Sequence, residues 1–484
     1  MILSLLIFLP LIGALASYLI GVANEKASRI VTLLISGLTI ILTLIIFATF
    51  DGSATGFQFT EKHEWAKPFG LTYSLGVDGI SLPLLIVVSL LTTLSAAGSL
   101  EQVNSKVKEY NALLLLFEGA AVGVFTSLNL IAFYVFWELV LVPMFFFIGV
   151  WGGPRRKYAA MKFLIMTHVG SILILLSFIT LYALSTPHSF NFTDLLKVHL
   201  PVPIQIMVSI GFFIGFGVKL PIVPLHTWLP DAHVEAPAPI SVLLAGVLLK
   251  MGGYGFLRMN LFLMPDASKI LSPIFIGFGL LTMFYGAIVA MTQQDLKRMI
   301  ALTSINHMGY ILVGAFTLTP VGVSGAVFQM FNHACAIGAL FLISGVIHEH
   351  MGTRTIRELS GLSRAMPRTS FLLVLSSLAA MGFPGFSNFI SEYTIIMAGI
   401  SVNLLYAIAV LVPGITAGYY VWMLRRVVMS TNAVSRDAGR EAPLYTLLTL
   451  TAFLVPLLVF GLYPAPLLGI INSTARVVPG LVRH

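Results

Sequence analysis

Long apolar segments recur along this chain of 484 residues and decide what it can fold into. A helix needs about 20 mostly apolar residues to cross a lipid bilayer. Of all residues, 58% are hydrophobic and 10% are charged, whereas soluble domains carry about 25% charged residues. The spacing of the apolar segments predicts an all-α polytopic membrane protein with about fourteen transmembrane helices. No remaining segment is long enough for a soluble domain.

Basic residues are distributed unequally between the two sets of predicted loops. One set holds 17 lysines and arginines and the other holds 7. Because loops rich in lysine and arginine stay on the cytoplasmic side, we expect both termini on the non-cytoplasmic side of an inner or plasma membrane. No basic residue precedes the first apolar segment, so it is interpreted as a retained helix and not a cleaved signal peptide. The cytoplasmic loops account for the net charge of +8, and nucleic-acid binding is not expected.

The sequence offers little that could bind a redox group or a metal. Cys335 is the single cysteine, which excludes an intrachain disulfide and iron–sulfur ligation by this chain alone. No glycine-rich nucleotide-binding motif is present. The cluster of His348, Glu349 and His350 is interpreted as a solvated loop flank and not as a metal site. We therefore expect no cofactor and no metal on this chain, and any redox step would take place on another subunit.

Two apolar segments contain residues that interrupt a helix. The segment from Phe216 to His226 contains two prolines, and the segment from Met381 to Phe389 contains Gly-Pro-Gly. Both predict discontinuous helices, the seventh and the twelfth, and such breaks are tolerated in a membrane only where protein or water surrounds them. Each break is followed by a Gly-Tyr pair in the next helix, Gly253-Tyr254 and Gly418-Tyr419. The offset is an odd number of spans, so the pattern suggests an inverted repeat.

Charged side chains within the apolar segments are the main indication of function. Each costs roughly 2.5 to 3.5 kcal/mol at the bilayer centre unless it pairs or faces water. These residues are Glu118, Glu138, Lys219, Lys250 and Glu392. Intramembrane charges usually mark an ion pathway, and the set indicates ion translocation.

The lysines and acids suggest how protons could move. Glu138 has no nearby basic residue in the sequence, and Lys219 from another helix could pair with it. Separation of such a pair in a low-dielectric site would release a proton. Lys250 could accept the next proton, and Glu392 on the second broken helix could serve as the exit. Histidines titrate near neutral pH and suit relays, although buried histidines and acids often serve only packing; the residues open to both interpretations are His226, His307, His333 and Glu118.

Four sequence runs resemble the antiporter-like membrane subunits of respiratory complex I. They are Phe136 to Pro143, Val218 to His233, Leu248 to Gly255 and Asp295 to Gly309. The resemblance covers nearly the whole chain. Glu392 stands where the L-type and N-type subunits and the cation/proton antiporter subunits typically have lysine, and the chain has no long lateral helix. Both features are typical of the M-type subunits of NADH-quinone oxidoreductase.

The resemblance implies an organisation and a set of roles. Residues 1–110 would form three helices, residues 111–265 a first five-helix repeat, residues 266–430 a second, inverted repeat, and residues 431–484 a loop and the last helix. Glu138 and Lys219 would form the coupled pair, Lys250 the central relay and Glu392 the terminal acid of proton translocation. Flavin, iron–sulfur clusters and quinone would bind to partner subunits, and L-like and N-like antiporter subunits would be neighbours in the membrane.

Two other functions remain open at this point. The chain could belong to a multisubunit cation/proton antiporter driven by an ion gradient, although Glu392 in place of lysine argues against it. It could also be a scaffold that fills the membrane arm without transport. NADH, reduced ferredoxin and reduced F420 remain alternative electron donors, and the sequence does not decide between protons and sodium ions.

Overall fold

The computed structural model describes residues 1–66, 71–186, 188–430 and 440–478. Its first part contains three long helices. It also contains an antiparallel hairpin, which the sequence did not predict. The hairpin joins the second helix to the third and lies outside the apolar segments. The elements are α1 (Ile2–Ala23), α2 (Glu25–Thr49), β1 (Gln58–Ala66), β2 (Leu71–Val77) and α3 (Ser81–Gln102).

The next part of the chain contains the first predicted broken helix. The elements are α4 (Val107–Thr126), α5 (Leu130–Leu139), α6 (Leu141–Trp151), α7 (Arg156–Leu184), α8 (Phe192–Leu195), α9 (Val202–Lys219) and α10 (Trp228–Glu235). Between α9 and α10 the chain leaves the helical conformation at Pro221 and Pro224. The first discontinuous helix is confirmed, because each proline lacks the backbone N–H that a helix needs.

The helix after this break changes its winding twice. It consists of α11 (Ala238–Leu243), a π-helical segment (Leu244–Leu248), α12 (Leu249–Gly255) and a second π-helical segment (Phe256–Leu263). The whole stretch is buried inside the protein. Short π-helical segments are rare and often occur at functional sites. The central charged residue of this helix, Lys250, lies between the two segments.

The second half of the chain repeats this order of elements. It contains α13 (Pro265–Met291), α14 (Leu296–Phe316), α15 (Pro320–Met351), α16 (Leu362–Ala365), α17 (Pro367–Ala380), α18 (Ser387–Val402), a 3₁₀ segment (Leu404–Val410), α19 (Leu411–Val427), α20 (Leu444–Leu462) and α21 (Ala465–Ala475). The second discontinuous helix is confirmed between α17 and α18. Gly382 and Gly385 have positive φ angles of 71° and 104° in this break, a conformation that glycine adopts most readily.

Within the described residues, twelve helical segments are long and apolar enough to cross a membrane. The many-helix membrane architecture is therefore confirmed. The predicted fourth and twelfth spans, α4 and the broken α17–α18, are not among these twelve, so a count of about fourteen remains a prediction. The division into domains at residues 110, 265 and 430 also remains a prediction.

Two details differ from the sequence analysis. The predicted last span, Tyr445 to Ile471, consists of two helices, because the chain turns between Leu462 and Ala465. Lys297 and Arg258, which were counted with the loops, lie in helical segments and are buried. Arg258 forms an ion pair with Asp78 beside the start of α3. Three counted basic residues lie outside the described residues, namely Lys67, Arg436 and Arg483.

Burial separates central helices from peripheral ones. The apolar windows of Ala238–Leu263 and α14 are fully buried, and that of α15 is 94% buried. By contrast, the window of α2 is only 28% buried. The polar side chains of α12, α14 and α15 therefore lie in the interior of the protein and away from its lipid-facing surface.

Candidate functional site

Lys250 is fully buried and makes two polar contacts. Its Nζ donates to the backbone carbonyl of Ala245 at 2.6 Å. The same Nζ lies 2.5 Å from Nδ1 of His333 on α15. Because the backbone N–H groups of a π-helical segment reach one residue further back than in an α-helix, carbonyls near Ala245 differ in their pairing from those of a regular helix. The lysine is therefore held by one backbone acceptor and one titratable ring.

Titratable side chains continue from His333 to the second broken helix. The ring centre of His333 lies 5.2 Å from that of His307 on α14. Nδ1 of His307 lies 3.3 Å from Oε1 of Glu392 on α18. The residues Lys250, His333, His307 and Glu392 thus form one buried row, which we call the central row. Sequence analysis selected all four residues, and the structure brings them together from four different helices.

Gln329 supports the acidic end of the central row. Its Nε2 lies 3.1 Å from Nδ1 of His307 and 3.4 Å from Oε1 of Glu392. Its Oε1 accepts a hydrogen bond from Ser391. The amide therefore fixes the histidine and the carboxylate relative to each other. Neither Nε2 of His333 nor Nε2 of His307 has a hydrogen-bond partner among the described residues.

The break between α17 and α18 makes room for the carboxylate of Glu392. A Cβ atom on Gly382 would lie 2.7 Å from Oε2 of this residue. That distance is shorter than a van der Waals contact, so a side chain at this position would displace the carboxylate. The glycine break thus serves the site in two ways, since it allows a positive φ angle and a close approach.

Lys219 lies at the end of α9 and is also buried. Its Nζ donates to the carbonyl oxygen of Trp137 at 3.3 Å and lies 3.7 Å from the centre of the Trp137 ring. A cation over an aromatic face is attracted by the ring. The first break therefore places Lys219 against Trp137 on α5, and Trp137 directly precedes Glu138.

Glu138 does not form a direct ion pair with Lys219 in this structure. Oε2 of Glu138 instead lies 3.1 Å from Nδ1 of His168 on α7, and its Oε1 has no hydrogen-bond partner among the described residues. The sequence analysis did not select His168. Lys219 therefore contacts Trp137, the residue before Glu138, and Glu138 itself contacts His168.

Close helix packing separates Lys219 from the central row. A Cβ atom on Gly252 would lie 2.6 Å from the backbone nitrogen of Leu220. The glycine at position 252 thus allows close contact between the two helices. Within the described residues, no side-chain hydrogen bond connects Lys219 with Lys250. The two lysines therefore belong to two separate polar groups.

Two selected residues lie apart from the central row. His226 lies in the first break, and its ring centre is 4.7 Å from that of Tyr285. Glu118 on α4 is fully buried, and neither of its carboxylate oxygens has a hydrogen-bond partner among the described residues. An unpaired buried acid is costly unless it is protonated or meets water. The structure does not connect either residue to the other selected side chains.

Sequence analysis missed His233 and Lys297. His233 on α10 is fully buried, stacks on Phe341 with ring centres 4.4 Å apart, and has no partner at either ring nitrogen among the described residues. Lys297 donates to the carbonyl of Ala236 and lines a cavity of about 370 Å³ together with Glu235. The sequence signal for His233 was its place at the end of the run from Val218 to His233, which carries the family resemblance.

His348, Glu349 and His350 do not form a metal site in the structure. His350 contacts Oε1 of Glu101 at 2.9 Å, and His348 and Glu349 are exposed at the end of α15. In the described ranges, no group of three His, Cys, Asp or Glu side chains is arranged to hold a metal ion.

Comparisons with known proteins identify the family of the chain. A family model described as NADH:quinone oxidoreductase/Mrp antiporter, TM, matches residues 127–416. A Rickettsia prowazekii protein named NADH-quinone oxidoreductase subunit M is 39% identical over 482 residues, which cover 98% of each chain. Both breaks and all four residues of the central row lie within the residues that the family model matches.

Solved structures show the same fold. A chain of respiratory complex I from Thermus thermophilus superposes with a TM-score of 0.89 at 26% identity and covers 99% of this chain and 100% of its own. A chain of the Mrp complex from Dietzia superposes with a TM-score of 0.86 at 20% identity over 98% and 97% of the two chains. The second likeness concerns the fold alone. The chain therefore belongs to the NADH:quinone oxidoreductase/Mrp antiporter transmembrane family and, within it, to the subunit M family of NADH-quinone oxidoreductases.

Proposed function

We propose that this chain is the proton-translocating membrane subunit M of a complex I type NADH-quinone oxidoreductase. Quinone reduction elsewhere in the complex would drive protons through its buried lysines and acids. The central row of Lys250, His333, His307 and Glu392 carries this proposal. It joins the centre of one repeat to the broken helix of the other through groups that each bind or release a proton.

The geometry supports a sequence of proton transfers. Nζ of Lys250 faces Nδ1 of His333, so the lysine can give its proton to that nitrogen and become neutral. An imidazole that gains a proton at one nitrogen can release another from the second nitrogen. His307 would accept that proton and pass one to Glu392 from Nδ1, which faces Oε1. Each transfer leaves the net charge of the row unchanged, and the last one neutralises the Glu392 carboxylate with the proton that Lys250 gave up.

The Lys219 group would control this row by electrostatics. The nearby carboxylate of Glu138 and the Trp137 ring attract a positive charge on Lys219 and offset part of the cost of burying it. Movement of the Glu138 carboxylate toward His168 weakens its attraction for the positive charge of Lys219. A positive charge that comes closer to Lys250 favours release of the Lys250 proton, because like charges repel. In this proposal the His168 contact is an alternative state of the Glu138 carboxylate.

Proton uptake in inverted membrane vesicles tests the function. NADH-driven uptake and the electron-transfer rate should be recorded together for Lys219→Ala and Lys250→Ala. We expect both variants to lose pumping and to slow electron transfer, since the pump is coupled. Lys157→Ala, which changes an exposed lysine, is the control and should behave as wild type. Unchanged pumping in both lysine variants would reduce the chain to a scaffold.

The second candidate is a subunit of a multisubunit cation/proton antiporter. The fold likeness to a chain of the Mrp complex favours it. This function predicts proton movement driven by a sodium gradient without an electron donor. Vesicles given a sodium gradient alone, and then NADH, reduced ferredoxin or reduced F420 alone, distinguish the two and identify the donor.

The remaining assignments belong to the same proposal. The chain would lie in the membrane beside L-like and N-like antiporter subunits, and partner subunits would hold the flavin, iron–sulfur clusters and quinone. Both termini would lie on the non-cytoplasmic side. Labelling of single cysteines at Ser53 and Lys157 with a membrane-impermeant reagent tests the orientation, because these exposed residues lie in loops assigned to opposite sides. Reaction at Lys157 from outside intact cells would contradict it.

A further inference from the structure

Three arginines line a cavity at the end of α19, far along the chain from the central row. The cavity encloses about 580 Å³, and its described lining includes Arg357, Arg425, Arg426 and Trp422. Arg425 and Arg426 lie in the last turn of α19, and Arg357 lies between α15 and α16. The guanidinium of Arg426 lies 4.6 Å from the centre of the Trp422 ring. We call this cavity the arginine pocket.

The arginine pocket has no acidic counterpart in the part of the chain that the structure describes. None of its three arginines takes part in an ion pair there, although the nearby Arg354 pairs with Asp295 at 2.6 Å. Glu358 follows Arg357 in sequence, and its carboxylate accepts a hydrogen bond from Thr353. Like charges that converge repel one another, so the pocket favours an external anion.

The surroundings favour a lipid as the source of that anion. The segment Leu404–Val427 is apolar enough to span a membrane, yet only 28% of its apolar window is buried in the protein. Val421 and Met429 are exposed along its last turns. Tryptophan is enriched where membrane meets water, and Trp422 lies one helical turn before Arg425 and Arg426. The pocket therefore lies where a lipid-facing helix ends.

We propose that the arginine pocket binds the phosphate of an anionic phospholipid, whose acyl chains lie along the exposed side of α19. Planar guanidinium groups bind phosphate oxygens through paired hydrogen bonds. Basic pockets between helices at this level of a membrane protein suit anionic head groups. The inference rests on the membrane location of the chain and not on its proton transfer.

Photo-crosslinking tests the pocket in the purified intact complex in nanodiscs. The probes are phosphatidylglycerol and phosphatidylcholine with the same photoactivatable acyl chain, and labelled peptides from residues 404–430 are quantified by mass spectrometry. We expect preferential labelling by phosphatidylglycerol. In R425Q/R426Q this labelling should fall about thirtyfold at limiting probe, since each basic residue near an anionic head group contributes roughly fivefold in affinity.

Two further variants separate charge from structure. R425K/R426K keeps the charges and should keep most of the labelling, whereas R364Q/R368Q removes two exposed arginines outside the pocket and should leave it unchanged. Equal labelling by both lipids, or undiminished labelling of R425Q/R426Q, would overturn the proposal. So would crosslinking of this segment to a neighbouring subunit in place of lipid. Protection of both arginines from phenylglyoxal by inorganic phosphate, but not by phosphatidylglycerol, would instead assign a free-anion site.

Discussion

Nδ1 of His333 lies 2.5 Å from Nζ of Lys250, and the two residues are 83 positions apart in the sequence. Both side chains are fully buried. Because Lys250 donates a proton in this contact, Nδ1 of His333 must be the acceptor. A neutral His333 then carries its proton on Nε2, which has no partner among the described residues. The contact is thus polarised for proton transfer from the lysine to the ring.

His333→Gln should abolish pumping while it preserves the fold. A glutamine carbonyl can accept the hydrogen bond from Lys250 but cannot gain and release a proton. If the ring is a relay, we expect proton uptake to fall on the order of 100-fold, the lower range for a positioned acid–base group. His333→Ala should be equally inactive. Vesicle proton uptake and electron transfer are the measurements, and near-normal pumping by His333→Gln would reduce the residue to a hydrogen-bond acceptor.

Glu392→Lys should uncouple the acidic end of the central row. A lysine there would place a second cation beside His307, which lies 3.3 Å from the present carboxylate. We expect lower proton uptake per electron transferred. Glu392→Gln, which keeps a hydrogen-bond partner for Gln329, should also lose coupling because it does not titrate, whereas Glu392→Asp should retain part of it. Normal electron transfer together with normal pumping in Glu392→Lys would remove this residue from the site.

Features that depend on local sequence were predicted well. The two helix breaks follow from proline and glycine, and Lys219, Lys250 and Glu392 were found because charges are rare in apolar segments. The contact between Lys250 and His333 could not be found this way, because it joins residues 83 positions apart. Sequence spacing does not distinguish one buried histidine from another. His333 and His226 were therefore equally plausible as relay residues until their neighbours in the structure were known.

Other misses have equally physical causes. Lys297 was counted with the loops because it lies between two apolar segments, yet its side chain extends into the protein and donates to the carbonyl of Ala236. His168 was missed because the sequence gives no distance to Glu138. The β-hairpin was missed because its strands of nine and seven residues are too short to be apolar spans, and a search for such spans passes over them.

The contact of Glu61 with the start of α1 should depend on pH. Its carboxylate is buried, which disfavours its charge, but hydrogen bonds from Ser4 and the terminal amine of Met1 outweigh this and lower its pKa below the ordinary 4.5. A lowered pKa means that the contact stabilises the fold above pH 4.5 and loses this contribution as the pH falls through the folded-state pKa. Protection of residues 2–8 against hydrogen exchange, corrected for the intrinsic amide exchange rate at each pH, should therefore fall in acid.

Glu61→Gln is the matched variant for this contact. It removes the charge but keeps the shape, so the corrected protection of residues 2–8 should already be lower near neutral pH and should change little on acidification. Glu64→Gln, on the exposed side of the same strand, is the control and should retain the wild-type pH dependence. The same pH dependence in Glu61→Gln and in the wild type would assign it to another group.

Gly382→Ala should impair pumping through the position of Glu392. The added Cβ would lie 2.7 Å from Oε2 of Glu392 and would also occupy a φ angle of 71° that alanine rarely adopts. Gly385→Ala separates these effects, because Gly385 has a φ angle of 104° and no atom within 4 Å of an added Cβ. Both variants should lose roughly 1 kcal/mol or more of stability from backbone strain. Only Gly382→Ala should lower the ratio of protons to electrons, and an equal ratio in the two variants would show that the break acts on the backbone alone.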